Sequence, residues 1–461
     1  VFRHGEKVPQ RDYQNYPNDP YRDYSYYPMG DGDLTNQGKL REYKIGTMLR
    51  ERYDRYFGPD YWPEKIYARS TLIPRTQLSL QLVLAGLFPP SEKQTWNPRL
   101  PWIPTSSFFE PYETDNLLFP HHCPRYKEEY RKFLRQSKAQ DLMNKYKSVM
   151  NYLTERTGKS INTTSAVTYL YNLLKEQAAQ NLTLPEWTKM VYPTPMKEII
   201  ALDFKLRSYT RTLKRLNGGL LIRKIVENIK MYKAGKLEPY DRKAFLFSAH
   251  EMNVAAVARA LELDEPIVPA YGATLILETL RDKKGNYYVR VLFWTGVSEQ
   301  LIIETIPGCT ELCPLEDFFA IVKDIIPSDD EYYCHPTENM LNNSKKLYSS
   351  GSSLAVGETW YCLISIFFFI ISTVHTEKYY IYINVRTMYY LDLKLLYFRK
   401  IQLNSKMVHR LKIQFNDHGN ANIPTRNESR FDLQVDGLIL LFPSRLKVQE
   451  PPWNRSSEIF I

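Results

Sequence analysis

Three short hydrophobic runs in the 461-residue sequence each end in a polar loop that leads into a helical pattern. The loops are FRHGEK at residues 2–7, ARSTLIPRT at 68–76 and SAHE at 248–251. Strands that alternate with helices in this way are typical of an α/β domain built on a parallel sheet. Because the carboxyl ends of parallel strands meet at one edge of the sheet, we expect the three loops to converge on a ligand site.

Hydrophobic periodicity predicts the main elements around these loops. Apolar residues at three- and four-residue spacing predict helices over 36–57 and 75–88. Short β-branched and aromatic runs predict strands at 1–2, 65–68, 244–248, 274–280 and 287–293. The last two runs flank the turn sequence at Gly285 and Asn286, which predicts a hairpin.

Residues 91–240 have a different character from the rest of the predicted domain. They are rich in Lys, Tyr, Glu and Leu and lack strand-like runs, which predicts a mostly helical cap inserted into the chain. The α/β catalytic domain is then discontinuous and comprises residues 1–90 and 241–335, with helices on both faces of its sheet. Only Val1 and Phe2 precede the first loop, so its strand is expected to be truncated.

The three loops together carry cations, imidazoles and one carboxylate. These residues are Arg3, His4, Lys7, Arg69, Arg75, His250 and Glu251. Guanidinium groups match phosphate oxygens bidentately, and a helix N-terminus adds partial positive charge. Taken singly, His4 fits a surface hydrogen-bonding group and Glu251 fits a helix-start carboxylate. Their convergence predicts a phosphate site in which nearby cations, Lys7 among them, lower the pKa of His4.

Composition limits the partners and the compartment. Although the net charge is +10, the Lys and Arg residues are spread along the chain, which excludes nucleic acid as a favoured partner. Four of the five cysteines precede residue 335 without CxxC or Cys/His metal spacing, so disulfides are favoured over a metal site and free cytosolic thiols remain the alternative. N-glycosylation triplets, which also favour a secreted or lysosomal protein, begin at Asn162, Asn181, Asn342, Asn427 and Asn454.

Several motifs resemble those of the histidine acid phosphatases, the branch of the histidine phosphatase superfamily with prostatic, lysosomal and insect venom acid phosphatases. FRHGEKVP stands where that family has RHGxRxP, RSTLIPRT where it has RSTDxxRT, and SAHE where it has an HD or HE dipeptide. DGDLTNQGKLREY, LAGLFPP, HHCPRY and GCTELCPLEDF also resemble the family, most closely its insect members. The resemblance covers residues 1 to about 335 and ends there.

The resemblance implies a phosphoglycerate-mutase-like sheet domain with a helical cap, a small phosphate monoester as substrate, and no metal or organic cofactor. It implies that His4 is the nucleophile and Glu251 the general acid. The phosphate ligands would be Arg3, Arg75 and His250, with Lys7 in place of the family's third arginine. It also implies disulfides that pair Cys123 with Cys334 and Cys309 with Cys313.

The sequence departs from the family at three places. Lys7 keeps the charge of an arginine without its bidentate fork. Leu72 and Pro74 interrupt the second motif and are expected to loosen the orientation of Arg75. Residues 336–461 diverge from the family, and three interpretations of them stay open: a genuine domain, a mispredicted C-terminus, or a segment with a membrane anchor at 360–374. The anchor candidate is a 15-residue apolar run, which is shorter than the roughly 20 residues of a spanning helix.

The sequence therefore predicts a secreted or lysosomal acid phosphomonoesterase that forms a covalent phosphohistidine. A catalytically weakened relative that acts as a binding, venom or salivary protein is one alternative. A phytase or lysophosphatidate phosphatase of the same fold is another. A homodimer and a membrane-anchored form are left open as well.

Overall fold

A computed structural model of the protein describes residues 1–264, 266–296, 301–335, 430–435 and 438–443. They fall in two compact units, of which the first contains every described residue up to 335 and the second contains the strands after residue 430. The apolar run at 360–374 lies outside the described residues. Within the described part of the chain, no helix combines the length and the apolar character needed to cross a membrane.

A mixed sheet forms the centre of the first unit. Its parallel part joins β3 to β2 on one side and to β1 on the other, and β4, β5 and β6 continue it as antiparallel strands. A further strand, β7, pairs with β5, and β8 with β9 form a hairpin in the second unit. The described strands are β1 (Phe2–Arg3), β2 (Ile66–Ser70), β3 (Ala244–Ala249), β4 (Thr274–Arg281), β5 (Tyr287–Trp294), β6 (Leu301–Glu304), β7 (Cys313–Pro314), β8 (Arg430–Val435) and β9 (Leu438–Pro443).

Helices account for most of the remaining regular structure in the described residues. Those from α4 to α10 all lie within 91–240, a segment in which the structure describes every residue and assigns no strand. The helices are α1 (Arg11–Gln14), α2 (Asn36–Phe57), α3 (Pro74–Leu87), α4 (Pro124–Leu134), α5 (Ser137–Asn144), α6 (Lys147–Thr157), α7 (Thr164–Ala179), α8 (Met196–Arg207), α9 (Arg211–Leu216), α10 (Gly218–Lys233), α11 (Glu251–Ala260), α12 (Leu315–Val322) and α13 (Asp329–Tyr332).

The sheet is covered by helices on both faces. Neighbouring residues of β4 point in opposite directions, as in any strand, so Leu275 joins one core cluster and Ile276 the other. The Ile276 cluster includes residues of α2 and α3, and the Leu275 cluster includes residues of α10, α11 and α12. This two-sided burial confirms the predicted α/β class and leaves the carboxyl ends of the parallel strands to form a site.

Two glycines allow α2 and α3 to cross at close range. A Cβ on Gly46 would lie 2.1 Å from the carbonyl oxygen of Val83, and one on Gly86 would lie 2.3 Å from that of Tyr43. Any side chain at either position would therefore push the two helices apart. Helix α2 begins where the side chain of Thr35 accepts a hydrogen bond from the backbone N–H of Gly38, a typical N-cap.

The main helices and strands begin and end within two residues of their predicted bounds. Helix α2 has the predicted bounds, and the predicted hairpin is the β4–β5 pair, with Gly285 at φ 90° in its turn. Pro74 begins α3, a position at which a backbone N–H has no partner within the helix, so its absence costs no hydrogen bond. The expected loosening of the second motif is therefore not seen at Pro74. Strands β6 and β7 were not predicted from the sequence.

Candidate active site

The parallel register places two of the predicted histidines side by side. Arg3 pairs with Ala249 across β1 and β3, and the backbone N–H of His4 donates to the carbonyl oxygen of Ala249 at 3.0 Å. His250 directly follows the same strand, and its ring centroid lies 5.5 Å from that of His4. The loop after β2 joins them, because the side-chain hydroxyl of Thr71 lies 3.2 Å from Nε2 of His250.

Hydrogen bonds fix the tautomer of His4. Its Nδ1 lies 2.8 Å from the carbonyl oxygen of Gly5, which can only accept, so Nδ1 carries the hydrogen. The Nε2 atom accepts a hydrogen bond of 3.1 Å from Nε–H of Arg75 and therefore presents its lone pair. An imidazole held in this form has its nucleophilic nitrogen oriented before any ligand arrives.

Burial and charge keep the ring neutral. His4 is 1% exposed, and its burial, followed by the charges of Arg75 and Arg3, lowers its pKa well below the usual value of 6.5. Burial and Arg75 also lower the pKa of His250 to about 3. Both imidazoles are therefore unprotonated in mildly acidic solution.

The guanidinium of Arg75 is held from a second side. Its Nη1 donates to the side-chain oxygen of Gln10 at 2.9 Å, while its Nε donates to His4. Arg75 belongs to the first turn of α3, directly after Pro74. The chain thus directs Arg75 to Nε2 of His4 even though the second motif is altered.

Arg3 and Glu251 form a buried ion pair beside the imidazoles. Nε of Arg3 lies 3.1 Å from a carboxylate oxygen of Glu251, and Nη1 of Arg3 donates to the carbonyl oxygen of Pro269 at 2.9 Å. The guanidinium also stacks 4.0 Å from the ring centroid of Tyr271. Burial alone would raise the pKa of Glu251, but the charge of Arg3 outweighs it and the pKa is lowered to about 2. The carboxyl group is therefore ionised in the free protein.

Lys7 lies in a buried ion pair of its own. Its ammonium donates to a carboxylate oxygen of Glu176 at 2.9 Å, to the side-chain oxygen of Gln14 at 2.8 Å and to the carbonyl oxygen of Val8 at 3.1 Å. An ammonium has three hydrogens, so all of its donors are engaged. The cations that lower the pKa of His4 are Arg75 and Arg3. The expectation that Lys7 contributes to that shift is not supported.

Similarity to known proteins identifies the family to which this arrangement of residues belongs. Residues 1–294 match the histidine phosphatase superfamily (branch 2). The chain belongs to this superfamily. It is 36% identical over 335 residues to the venom acid phosphatase Acph-1 of Apis mellifera, a match that covers 72% of this chain and 86% of that one.

Other relatives of this histidine phosphatase are mammalian acid phosphatases. It is 31% identical to the prostatic acid phosphatase of Homo sapiens, over 74% of this chain and 87% of that one. It is 30% identical to the human lysosomal acid phosphatase, over 72% and 78%. The fold is also similar to that of the Hafnia alvei phytase, with a TM-score of 0.54 and 16% identity over 73% of this chain and 97% of that one.

Sequence reasoning missed several residues of the site in this histidine phosphatase. Glu176 accepts from Lys7 and from the hydroxyl of Tyr271, and it is fully buried. The sequence does carry a signal for Glu176. It follows Leu173 by three residues and so lies on the buried side of α7, where a carboxylate needs a partner. By contrast Arg69, one of the predicted loop cations, is held by Asp115 at 2.5 Å and does not point to the imidazoles.

The remaining predicted residues lie apart from the imidazoles. The structure joins Cys123 to Cys334 and Cys309 to Cys313. Asn162 and Asn181 are exposed, whereas the triplets at 342, 427 and 454 lie outside the described residues. Among the residues that the structure describes, no group of three or more His, Cys, Asp or Glu side chains is placed to hold a metal ion.

Proposed function

We propose that the protein is an acid phosphatase that hydrolyses phosphate monoesters through a phosphohistidine on Nε2 of His4. Its family and its acid phosphatase relatives support this reaction class. One observation carries the mechanism: Gly5 holds Nδ1–H of His4 while burial and neighbouring cations keep the ring unprotonated. The Nε2 lone pair is therefore available in acid, where a free histidine would be protonated.

In the first step, the lone pair of His4 Nε2 forms a bond to phosphorus while the bond from phosphorus to the leaving oxygen breaks. We assign Arg3, Arg75 and His250 to the non-bridging oxygens, because their side chains surround the imidazole of His4. Phosphoryl transfer asks a protein mainly to position the group and to stabilise charge on these oxygens. Two guanidinium groups satisfy that need without Lys7.

The proton for the leaving oxygen passes through Glu251 in this mechanism. A bound phosphate competes for Arg3 and so weakens the ion pair that lowers the pKa of Glu251. A phosphate monoester has a second pKa of about 6, so in mildly acidic solution it arrives carrying a proton that Glu251 can take and deliver. In the second step, the carboxylate accepts a proton from water, whose oxygen bonds to phosphorus as the bond to Nε2 breaks.

Trapping of the covalent intermediate tests this proposal. Wild-type protein mixed with a phosphate-labelled ester and quenched in alkali should retain label, since phosphohistidine is lost in acid. His4→Ala should retain none and should lose turnover. The matched control is His122→Ala, which removes a partly buried imidazole from the aromatic cluster around Phe119 and should keep the label. Label that persists in His4→Ala would refute the assignment.

We also propose that residues 91–240 form a cap over the catalytic domain formed by 1–90 and 241–335. Helix α7 supports this division, because its Asn172 donates to a carboxylate oxygen of Glu251 at 3.3 Å and its Glu176 holds Lys7. Secretion or lysosomal residence is proposed from the two disulfides, the exposed triplets at Asn162 and Asn181, and the compartments in which the relatives are named. The homodimer and the anchor at 360–374 remain predictions from the sequence.

One observation favours the alternative of a weakened relative. Because Glu176 neutralises Lys7, this ammonium is not free to bind phosphate as the family's third arginine would. Hydrolysis of p-nitrophenyl phosphate in mildly acidic buffer distinguishes the two readings. Turnover that depends on His4 supports the enzyme, and phosphate binding without turnover supports the weakened relative.

A further inference from the structure

A cavity lies beside the Arg3–Glu251 pair. It has a volume of about 110 Å³ and is bounded by α7, by α8 and by the segment from Val268 to Ala270. Arg3 and Glu251 contribute to its wall, but the other proposed phosphate ligands and the nucleophile do not. The cavity is therefore separate from the phosphoryl site and shares two residues with it.

Three cationic side chains line this cavity. Arg3 is already paired with Glu251, whereas the other two cations, Lys175 and Lys197, have neither a hydrogen-bond acceptor nor a carboxylate partner among the described residues. The Lys175 ammonium lies over the ring of Tyr271, 4.7 Å from its centroid. One carboxylate faces three cations in this wall, so the wall is electropositive and its positive charge is not fully balanced.

The half-buried position of Lys175 makes the missing partner significant. Burial, Arg3 and Arg41 lower the pKa of Lys175 to about 8, which leaves it charged in acid. A desolvated charge is costly unless it is paired, and an oxyanion would pair it. The cavity volume is several times the space that one water needs, so a carboxylate or phosphate group fits.

We propose that this cavity is a second anion site that takes a carboxylate or a second phosphate group on the leaving group of the substrate. The inference rests on the proposed function, in which Glu251 protonates the leaving oxygen, because Glu251 also lines the cavity. A substituent attached to that oxygen through one or two carbons enters the cavity directly. The favoured substrates are then small phosphate monoesters with a second negative charge.

Two esters that differ by one carboxylate test the proposal. The measured quantity is the ratio of kcat/KM for phosphoglycolate to kcat/KM for ethyl phosphate in mildly acidic buffer. Lys197→Gln and Lys175→Gln should each lower this ratio about tenfold, the usual scale of one charge-assisted hydrogen bond. Lys205→Gln is the matched control, since it removes the same charge from an exposed position of α8 outside the cavity and should leave the ratio unchanged.

The outcomes separate the two proposals. Ethyl phosphate turnover that is lost in His4→Ala, with a ratio unaffected by either cavity variant, would overturn the second anion site and keep the phosphatase. If wild-type protein hydrolyses neither ester, the phosphatase proposal fails. The second anion site is then tested by calorimetry, as the ratio of the affinity for phosphoglycolate to the affinity for ethyl phosphate. A ratio that Lys175→Gln and Lys197→Gln leave unchanged would overturn it. Non-competitive inhibition by sulfate that disappears in Lys197→Gln, with an unchanged ratio, would assign the cavity to free inorganic anion and overturn the substrate assignment.

Discussion

Glu42 links the stability of the fold to pH. Its side chain is fully buried in α2, and neither carboxyl oxygen has a hydrogen-bond partner. Burial raises its pKa well above the usual value of 4.5, although the charges of Arg41 and Arg3 oppose the shift. The folded protein therefore keeps Glu42 as an uncharged carboxylic acid at pH values at which the unfolded chain has already ionised it.

The sign of the pH effect follows from this raised pKa. Below about pH 4.3 the carboxyl is protonated in both the folded and the unfolded chain, so Glu42 adds no pH dependence. Above that pH the unfolded chain loses the proton and the folded one keeps it. The contribution of Glu42 to the free energy of unfolding then falls by about 1.4 kcal/mol per pH unit until the pH reaches the folded pKa.

Glu42→Gln removes this dependence, because the amide has the same shape and no charge to gain. Urea unfolding of wild type and variant should give similar free energies near pH 4. With each further pH unit the variant should gain about 1.4 kcal/mol over wild type. Glu51→Gln is the control, since it makes the same change on the exposed side of α2, and its difference from wild type should stay flat. A flat difference for Glu42→Gln as well would show that the folded protein ionises this carboxyl and would refute the reasoning.

Three further predictions concern named contacts. Glu251→Gln should slow alkyl phosphates about 10²-fold or more but p-nitrophenyl phosphate much less, since only a poor leaving group needs a proton; equal losses in kcat on both esters would contradict this. Glu176→Gln should lower the free energy of urea unfolding by about 3–5 kcal/mol, because it leaves the buried ammonium of Lys7 without its carboxylate. Cys123→Ser should lower the midpoint of thermal unfolding more than Cys309→Ser does, because the first disulfide spans 211 residues and the second spans 4.

The sequence was informative wherever a rule acts locally. Helix α2 is long and amphipathic, so its periodicity and the N-cap at Thr35 sufficed to place it. The meeting of His4 with His250 was also predictable, because strand-end loops of a parallel sheet converge. Strands β6 and β7 are short and lie at the edge of the sheet, and neither has an alternating pattern long enough to detect.

Long-range pairing explains what the sequence could not show. Lys7 has the charge and position of a phosphate ligand, yet its partner Glu176 lies 169 residues away on α7. Gly5 packs against a segment more than 30 residues away, because a Cβ there would lie 2.6 Å from the carbonyl oxygen of Gly38. The ionised state of Glu251 likewise depends on Arg3, a partner that the motif alone does not identify.

The position of β1 sets the order in which the protein can become active during synthesis. Its two residues lie between β3 and β4, which occupy Ala244–Ala249 and Thr274–Arg281. Strand β1, which leads directly to His4, leaves the ribosome before both of its neighbours, which follow more than 240 residues later. Until they emerge, the nascent chain has no paired β1, no His250 beside His4 and no phosphate site. The growing polypeptide thus stays catalytically silent until the whole helical segment has been translated.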